Sequence, residues 1–132
     1  MSNAFLRFGV LFGFIGVSIG YYMGASHDFT ASPVHAHINL LGWVSMFLYG
    51  LFYRVLPEAA QGLLPKLHLV LAVTGFLIFM PALAVQVLDI ESLFRVAPIG
   101  LMVGPTLVLL GMLVFGIIVF MATARSSRTS PA

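Results

Sequence analysis

Cysteine is absent from the 132 residues of the chain. Its absence excludes a disulfide framework, cysteine-ligated zinc or iron–sulfur centres, a thiolate nucleophile and the covalent CxxCH attachment of haem. Any metal or cofactor must therefore be held by histidine, methionine, aspartate or glutamate.

Charged residues are also scarce. They make up 8% of the chain, and hydrophobic residues make up 61%, whereas an average soluble domain is about 25% charged. Six lysines and arginines against four aspartates and glutamates give a formal net charge of +2, which is too thin a basic surface for nucleic acid. The composition excludes an ordinary soluble globule and favours the lipid bilayer as the surroundings of this chain.

Four apolar stretches are long enough to cross a bilayer, which takes about 20 residues. They are Phe5 to Met23, Val34 to Leu56, Leu67 to Leu88 and Val96 to Met121. The connectors between them are short and contain helix breakers, and Pro33 and Pro65 fall where helices prefer proline, at their starts. Because short connectors join antiparallel neighbours, the sequence predicts an all-α, integral membrane four-helix bundle. We expect one domain over residues 1–124 and a polar cytoplasmic tail over residues 125–132.

The basic residues predict the orientation of the bundle. Only Arg95 lies between the third and fourth spans, and the other basic residues occupy the N-terminus, the second connector and the C-terminus: Arg7, Arg54, Lys66, Arg125 and Arg128. By the positive-inside rule, both termini are expected in the cytoplasm of a multi-pass protein of a bacterial-type plasma (inner) membrane.

Glycines at four-residue spacing form ridges that allow close helix contact in membranes. They are Gly9 and Gly13, then Gly16, Gly20 and Gly24, in the first span and Gly100 and Gly104 in the fourth. We expect at least one ridge to pack within the chain, and the other could face a neighbouring subunit.

Ionisable residues inside a membrane span are costly and indicate function. The second span opens with His35, His37 and Asn39. Since residues two apart point about 200° from each other on a helix, the two histidines cannot bind one ion from a regular helix. Steps of three or four residues from His35 predict a polar and aromatic stripe of Asn39, Gly42, Met46, Tyr49 and Tyr53. The same steps from His37 predict an apolar wall suited to a flat macrocycle: Leu40, Leu41, Val44 and Leu48.

His68 lies near the opposite face of the membrane because its helix runs the other way. The predicted separation from His37 is roughly 20 Å, which is too far for both to ligate one iron. We expect His68 to be a hydrogen-bonded histidine at the membrane interface.

Three arrangements could complete a site. His37 and Met102 of one chain could hold a haem, for which methionine is a known axial ligand. His27, Asp28 and His35 could form a copper or zinc site on the outer face. Neighbouring chains could instead each supply a histidine across a symmetric interface.

The stretch HAHINLLGWVSMFLYGLFYRVLPE, from His35 to Glu58, resembles the haem-ligand helices of the haem–copper oxidase and nitric oxide reductase subunit I superfamily. The resemblance consists of the HxH pattern, then Gly50 thirteen residues after His37, then Pro57 seven residues further on. In the corresponding helix of the oxidases, the first histidine binds the high-spin haem and the second binds the low-spin haem, one on each side.

The catalytic subunit of that superfamily has twelve helices in three groups of four. The resemblance therefore implies that this four-helix chain is one such group and assembles as a homo-oligomer, by analogy a trimer, with haem b at the subunit interfaces. His35 and His37 would ligate the iron, and Asn39, Trp43 and Tyr53 would orient ligands and shape the pocket. The implied function is electron transfer with a respiratory redox partner, or binding of oxygen or nitric oxide.

The sequence lacks the copper-binding histidine pair and the proton-channel residues of the oxidases, so an enzymatic reduction is not expected from it. Two other functions remain compatible with the residues. One is a copper- or zinc-binding sensor or metal-handling protein that uses the outer histidines. The other is a non-catalytic helper subunit of a respiratory complex.

Overall fold

Four long helices make up most of the computed structural model, which describes residues 1–129 and the side chains of residues 1–124. They are α1 (Ser2–Ser26), α2 (Ser32–Val55), α3 (Leu63–Val87) and α4 (Ala97–Thr129). Short 3₁₀ turns, Pro57–Ala60 and Glu91–Leu93, lie in the second and third connectors. No strand occurs in residues 1–129, and each long helix is long and apolar enough to cross a membrane. The predicted all-α class with four membrane-length helices is confirmed.

The helices extend beyond the apolar stretches. α1 begins at Ser2 and α3 at Leu63, before the predicted starts at Phe5 and Leu67, because helical hydrogen bonding does not stop where hydropathy falls. The backbone of α4 continues to Thr129, into the predicted polar tail. The side chains of that tail, residues 125–132, lie outside the described residues.

The winding of α2 changes along its length. Ser32–His37 and Met46–Val55 are α-helical, whereas Ile38–Ser45 is π-helical. The Ser45 hydroxyl donates a 2.8 Å hydrogen bond to the carbonyl of Leu40, five residues earlier, as the wider π turn allows. In this stretch the buried positions recur every four residues: Val34, Ile38, Gly42 and Met46.

Glycines of α1 receive the side chains of α2. A Cβ atom added at any of four glycines would lie within 3.0 Å of an α2 residue; the pairs are Gly20 with His35, Gly16 with Asn39, Gly13 with Trp43 and Gly9 with Phe47. We call these four pairs the glycine ladder. Trp43 and Phe47, and not Gly42 and Met46, therefore continue the face of His35. The regular stripe predicted from His35 is wrong here because the π segment shifts the register.

The other glycine ridge joins α3 and α4. A Cβ at Gly104 would lie 2.6 Å from the backbone nitrogen and Cα of Phe79, and a Cβ at Gly100 would lie 2.6 Å from the Cβ of Ala82. On α3, a Cβ at Gly75 would lie 2.8 Å from the backbone nitrogen of Val108. Both ridges thus pack inside the chain, apart from Gly24, whose added Cβ would meet nothing within 4 Å. The helices α3 and α4 approach closely enough to put backbone against backbone.

We predict that Gly104→Ala destabilises the fold, because the added methyl would meet the α3 backbone, which cannot rotate away. The expected loss is about 1–3 kcal/mol in the free energy of unfolding, as for other overpacked sites. Gly116→Ala in the same helix is the matched control, since nothing lies within 4 Å of its added Cβ. Thermal unfolding in detergent, followed by circular dichroism, measures both variants, and equal midpoints would contradict the close α3–α4 packing.

Candidate functional site

The imidazole of His35 is fixed in the contact between α1 and α2. Its Nδ1 lies 2.8 Å from the carbonyl oxygen of Gly16, and its Cε1 occupies the space that a Cβ at Gly20 would need. Because a carbonyl oxygen can only accept, Nδ1 carries the ring proton and donates it. In the neutral ring, Nε2 then keeps its lone pair, and it has no hydrogen-bond partner among residues 1–124.

His37 faces the other side of α2. Its Nδ1 lies 2.7 Å from the carbonyl oxygen of Pro33, and its ring meets that of Phe79 on α3 edge-on, with 5.3 Å between centroids. The same reasoning places the proton on Nδ1 and the lone pair on an Nε2 without a partner in the described side chains. The prediction that His35 and His37 serve different sides of the helix is confirmed, since one contacts α1 and the other α3.

Both histidines have a feature that is typical of metal ligands: an Nδ1–H donated to a backbone carbonyl. Histidines that ligate metals almost always donate their second ring N–H to a carboxylate, carbonyl or water, which fixes the tautomer and the ring orientation. Both rings are also half-buried, because His35 packs against α1 and His37 against α3. The donor chemistry of His35 and His37 therefore fits a haem iron or another metal that binds at Nε2.

An exposed apolar surface lies between the two histidines on α2. Leu40, Val44 and Leu48 are 61%, 40% and 56% exposed, respectively, and Leu51 and Val55 continue this surface. We call these five residues the α2 outer face. Three of the four residues of the predicted apolar wall belong to it, whereas Leu41 is half-buried.

Asn39 and Trp43 support His35 on the glycine ladder. The Asn39 Nδ2 donates a 2.9 Å hydrogen bond to the backbone carbonyl of His35 and lies 3.2 Å from its Nδ1. The Asn39 Oδ1 is buried and has no partner within residues 1–124. The indole of Trp43 packs over Gly13. The structure therefore brings Asn39 to His35, as an orienting role requires.

Met102 points away from the histidines. Gly100 and Gly104 face α3, and Met102 lies two residues from each, about 200° around the helix. Its side chain is 69% exposed. The structure does not bring Met102 to His37 within one chain, because the glycines occupy the side of α4 that faces the bundle.

The outer loop contains the residues of the alternative metal site. His27 ends α1 in the left-handed conformation, with φ of 55°, and is exposed. The Thr30 hydroxyl and amide donate to Asp28 Oδ1 at 2.6 and 2.9 Å, and these bonds hold the pKa of the Asp28 carboxyl below its usual value. Within the described part of the chain, no three His, Cys, Asp or Glu side chains gather to hold a metal. The set of His27, Asp28 and His35 is therefore not assembled there.

His68 is the most buried histidine of the described residues. It is 0% exposed, and four rings from α1, α2 and α4 surround it, with centroid distances of 4.5 to 5.9 Å: Phe5, Tyr49, Tyr53 and Phe115. The expected hydrogen bond of His68 is present, whereas the exposure expected of a side chain at the interface is not. His68 lies near the start of α3, as expected, but its side chain is enclosed where all four helices meet.

The polar atoms of His68 are only partly paired. The Tyr53 hydroxyl and His68 Nδ1 share a hydrogen bond of 2.9 Å, and the hydroxyl has no other partner in residues 1–124. The buried Nε2 has no partner in the same residues. Tyr53 follows His37 by sixteen residues, about 24 Å along α2, so the structure places Tyr53 with His68 and not beside His37.

Sequence reasoning missed several contacts. Phe5 and Phe115 around His68 gave no signal, because aromatic residues are frequent throughout an apolar chain, and Tyr49 was assigned to the stripe below His35 and not to His68. The Gly16 carbonyl that binds His35 was detectable only indirectly, since the glycine ridge showed where a helix could approach but not which residue would fill it.

Comparison of the chain with protein-family models, with curated proteins and with solved structures finds no match.

We predict that Tyr53→Phe lowers the free energy of unfolding by about 1–3 kcal/mol, the cost of leaving a buried polar group unpaired. The variant removes the hydroxyl that binds His68 Nδ1 and keeps the ring. Tyr21→Phe is the matched control, because the Tyr21 side chain is largely exposed. Thermal unfolding in the same detergent distinguishes them. An unchanged midpoint for Tyr53→Phe would mean that the hydroxyl does not stabilise the cluster.

Proposed function

We propose that the protein is a haem-b-binding integral membrane protein that acts in electron transfer or in the binding of a diatomic gas. His37 is the preferred iron ligand, and His35 is the next candidate for this role. The proposal places the protein in a bacterial-type plasma membrane with both termini in the cytoplasm. The support comes from the HxH-containing helix, which resembles the haem helices of the oxidase superfamily, and from the state of its two imidazoles.

The observation that carries the proposal is the pair of hydrogen bonds at Nδ1. Such a bond pairs the ring N–H of any half-buried histidine, and it also leaves Nε2 unprotonated and pointing in a fixed direction, as a metal ligand requires. His35 and His37 both donate Nδ1–H to a backbone carbonyl. His37 is preferred because its ring lies against Phe79, whereas His35 is enclosed by the glycines of α1.

A second protein ligand for the haem would come from another copy of the chain. Met102 faces away from His37, and His68 lies at the other end of the bundle, so neither serves within one chain. The α2 outer face runs from Leu40, three residues after His37, to Val55 at the end of the helix. Its part nearest the histidines would offer the apolar contact that a macrocycle held without covalent bonds requires. A symmetric assembly repeats this face in every subunit.

When bound, haem b would supply one-electron redox chemistry, or an open coordination position for a gas. The residues of this chain would contribute the ligand nitrogens, the hydrogen bonds that orient them, and an apolar surface that excludes water. The Asn39 amide would help to orient His35, since it bonds to the His35 carbonyl and lies beside the His35 ring.

We predict that His37→Ala abolishes the visible absorption bands of the protein purified in mild detergent after haem-replete expression. His27→Ala is the matched control, since His27 is an exposed histidine outside the spans, and its spectrum should equal that of the unaltered protein. Haem that persists in His37→Ala would refute the assignment. A colourless unaltered protein whose copper or zinc binding weakens in His27→Ala would favour the metal-handling alternative.

Carbon monoxide distinguishes the two forms of the proposed function. If two histidines hold the haem, the dithionite-reduced bands should be sharp and unchanged by carbon monoxide, which would indicate an electron carrier. A shift would indicate an open position and therefore gas binding.

We also predict that haem and oligomer occur together. Light scattering after size-exclusion chromatography should give a multiple of the chain mass for the haem-loaded fraction, and His37→Ala should shift the protein towards the monomer. A monomer with two histidine ligands on its haem would contradict the shared interface.

A further inference from the structure

Two exposed arginines from different helices, Arg7 on α1 and Arg54 on α2, lie at the same end of the bundle. The Arg54 guanidinium on α2 donates a 2.9 Å hydrogen bond to the Asn3 Oδ1 on α1. Arg7 lies four residues after Asn3, so it shares a face of α1 with it, and long helical side chains lean back towards the N-terminus. Arg7 therefore lies one helical turn from the position that Arg54 reaches, on the same face of α1.

These two charges are not neutralised by the protein. Both arginines are exposed, and no ion pair within 4.0 Å involves either of them in the part of the chain whose side chains are described. Asn3 presents an uncharged oxygen, which orients Arg54 without cancelling its charge. Adjacent guanidinium groups at a membrane surface attract an anion, and phosphate oxygens match their hydrogen-bonding geometry.

An apolar groove begins at the same place. It is a shallow groove that is wide open on its outer side, and it runs along α1 beside Leu6, Arg7, Val10, Leu11 and Phe14. From Leu6 to Phe14 is about 12 Å along the helix axis, which is close to the depth of one hydrocarbon leaflet, about 15 Å. Arg7 is the only charged residue that lines this groove, and it lies at the end next to Arg54.

We propose that this surface binds an anionic phospholipid. Its phosphate lies between Arg7 and Arg54, and one acyl chain fills the groove as far as Phe14. A soluble phosphate would leave the groove empty. A second copy of the chain related by a two-fold axis along the bundle would bring this arginine pair against its own equivalent, which like charges oppose. The site lies at the opposite end of α2 from His35 and His37, so it does not depend on the proposed haem function.

The only tryptophan of the chain makes the site measurable. Trp43 packs over Gly13, about 9 Å below Arg7 along α1, which is the depth of mid-chain carbons in a bound lipid. The full-length protein is reconstituted in vesicles that contain phosphatidylglycerol and phosphatidylcholine with the same acyl chains. One of the two lipids carries bromine atoms in mid-chain, which quench the fluorescence of Trp43, and the quenching gives the relative association constant of the two lipids.

The expected result is a preference for phosphatidylglycerol that Arg7→Gln and Arg54→Gln each reduce by about fivefold, the effect of one basic side chain near an anionic lipid surface. Arg95→Gln, at the other end of the bundle, is the matched control and should leave the preference unchanged. Circular dichroism verifies the helical content of each variant.

Three results would overturn the proposal. The first is an unaltered protein that shows no preference between the two lipids. Arg95→Gln could lose as much preference as Arg7→Gln, which would indicate net charge and not a site. Neither brominated lipid could quench Trp43, which would indicate that protein covers this side of α1.

Discussion

The close approach of α1 and α2 at glycines is the constraint on which the rest of the candidate site depends. In a bilayer, whose lipid tails are as apolar as these helices, contact between helices would have to come from tight packing and hydrogen bonds. On the glycine ladder, α2 side chains lie where a Cβ atom of α1 would otherwise be. The same absence of side chains uncovers the Gly16 carbonyl, to which His35 donates. One structural feature therefore packs the helices and fixes the tautomer of an imidazole.

The π-helical segment gives α2 its division of faces. It begins directly after His37 and ends at Ser45, and its wider turn keeps every fourth residue on the same side. One row of α2 residues therefore stays in contact with the glycines of α1: His35, Asn39, Trp43 and Phe47. A second row stays buried in the core: Val34, Ile38, Gly42 and Met46. π segments in helices are frequent at functional sites. Here the segment lies immediately below the two histidines, and its Asn39 Oδ1 is a buried atom without a partner in residues 1–124.

The sequence predicted those features that follow from length, hydropathy and helix geometry. Four spans, the proline starts and the opposite directions of His35 and His37 all depend on properties of single segments. The π winding depends on which helix a segment packs against, and a regular repeat of 3.6 residues cannot reveal it. The burial of His68 is a similar case. Its position in the sequence predicts how far it lies along α3, but not which way its side chain points. Met102 looked suitable by depth alone, yet the glycines of α4 decide which side of that helix faces inward.

The two proposals use different surfaces, and the fold separates them. The α2 outer face begins at Leu40, three residues after His37. The lipid groove lies on α1 and starts near Arg7. The seam between these surfaces is the α1–α2 contact, where Trp43 packs on Gly13. An assembly that joins copies through the α2 outer face leaves the groove on α1 open to lipid. It also places apolar side chains at the contact and keeps the arginine pair at the margin, where an anion can neutralise it. The distribution of charge in this chain, with so few charged residues, is therefore compatible with one face for a second copy and a neighbouring face for the membrane.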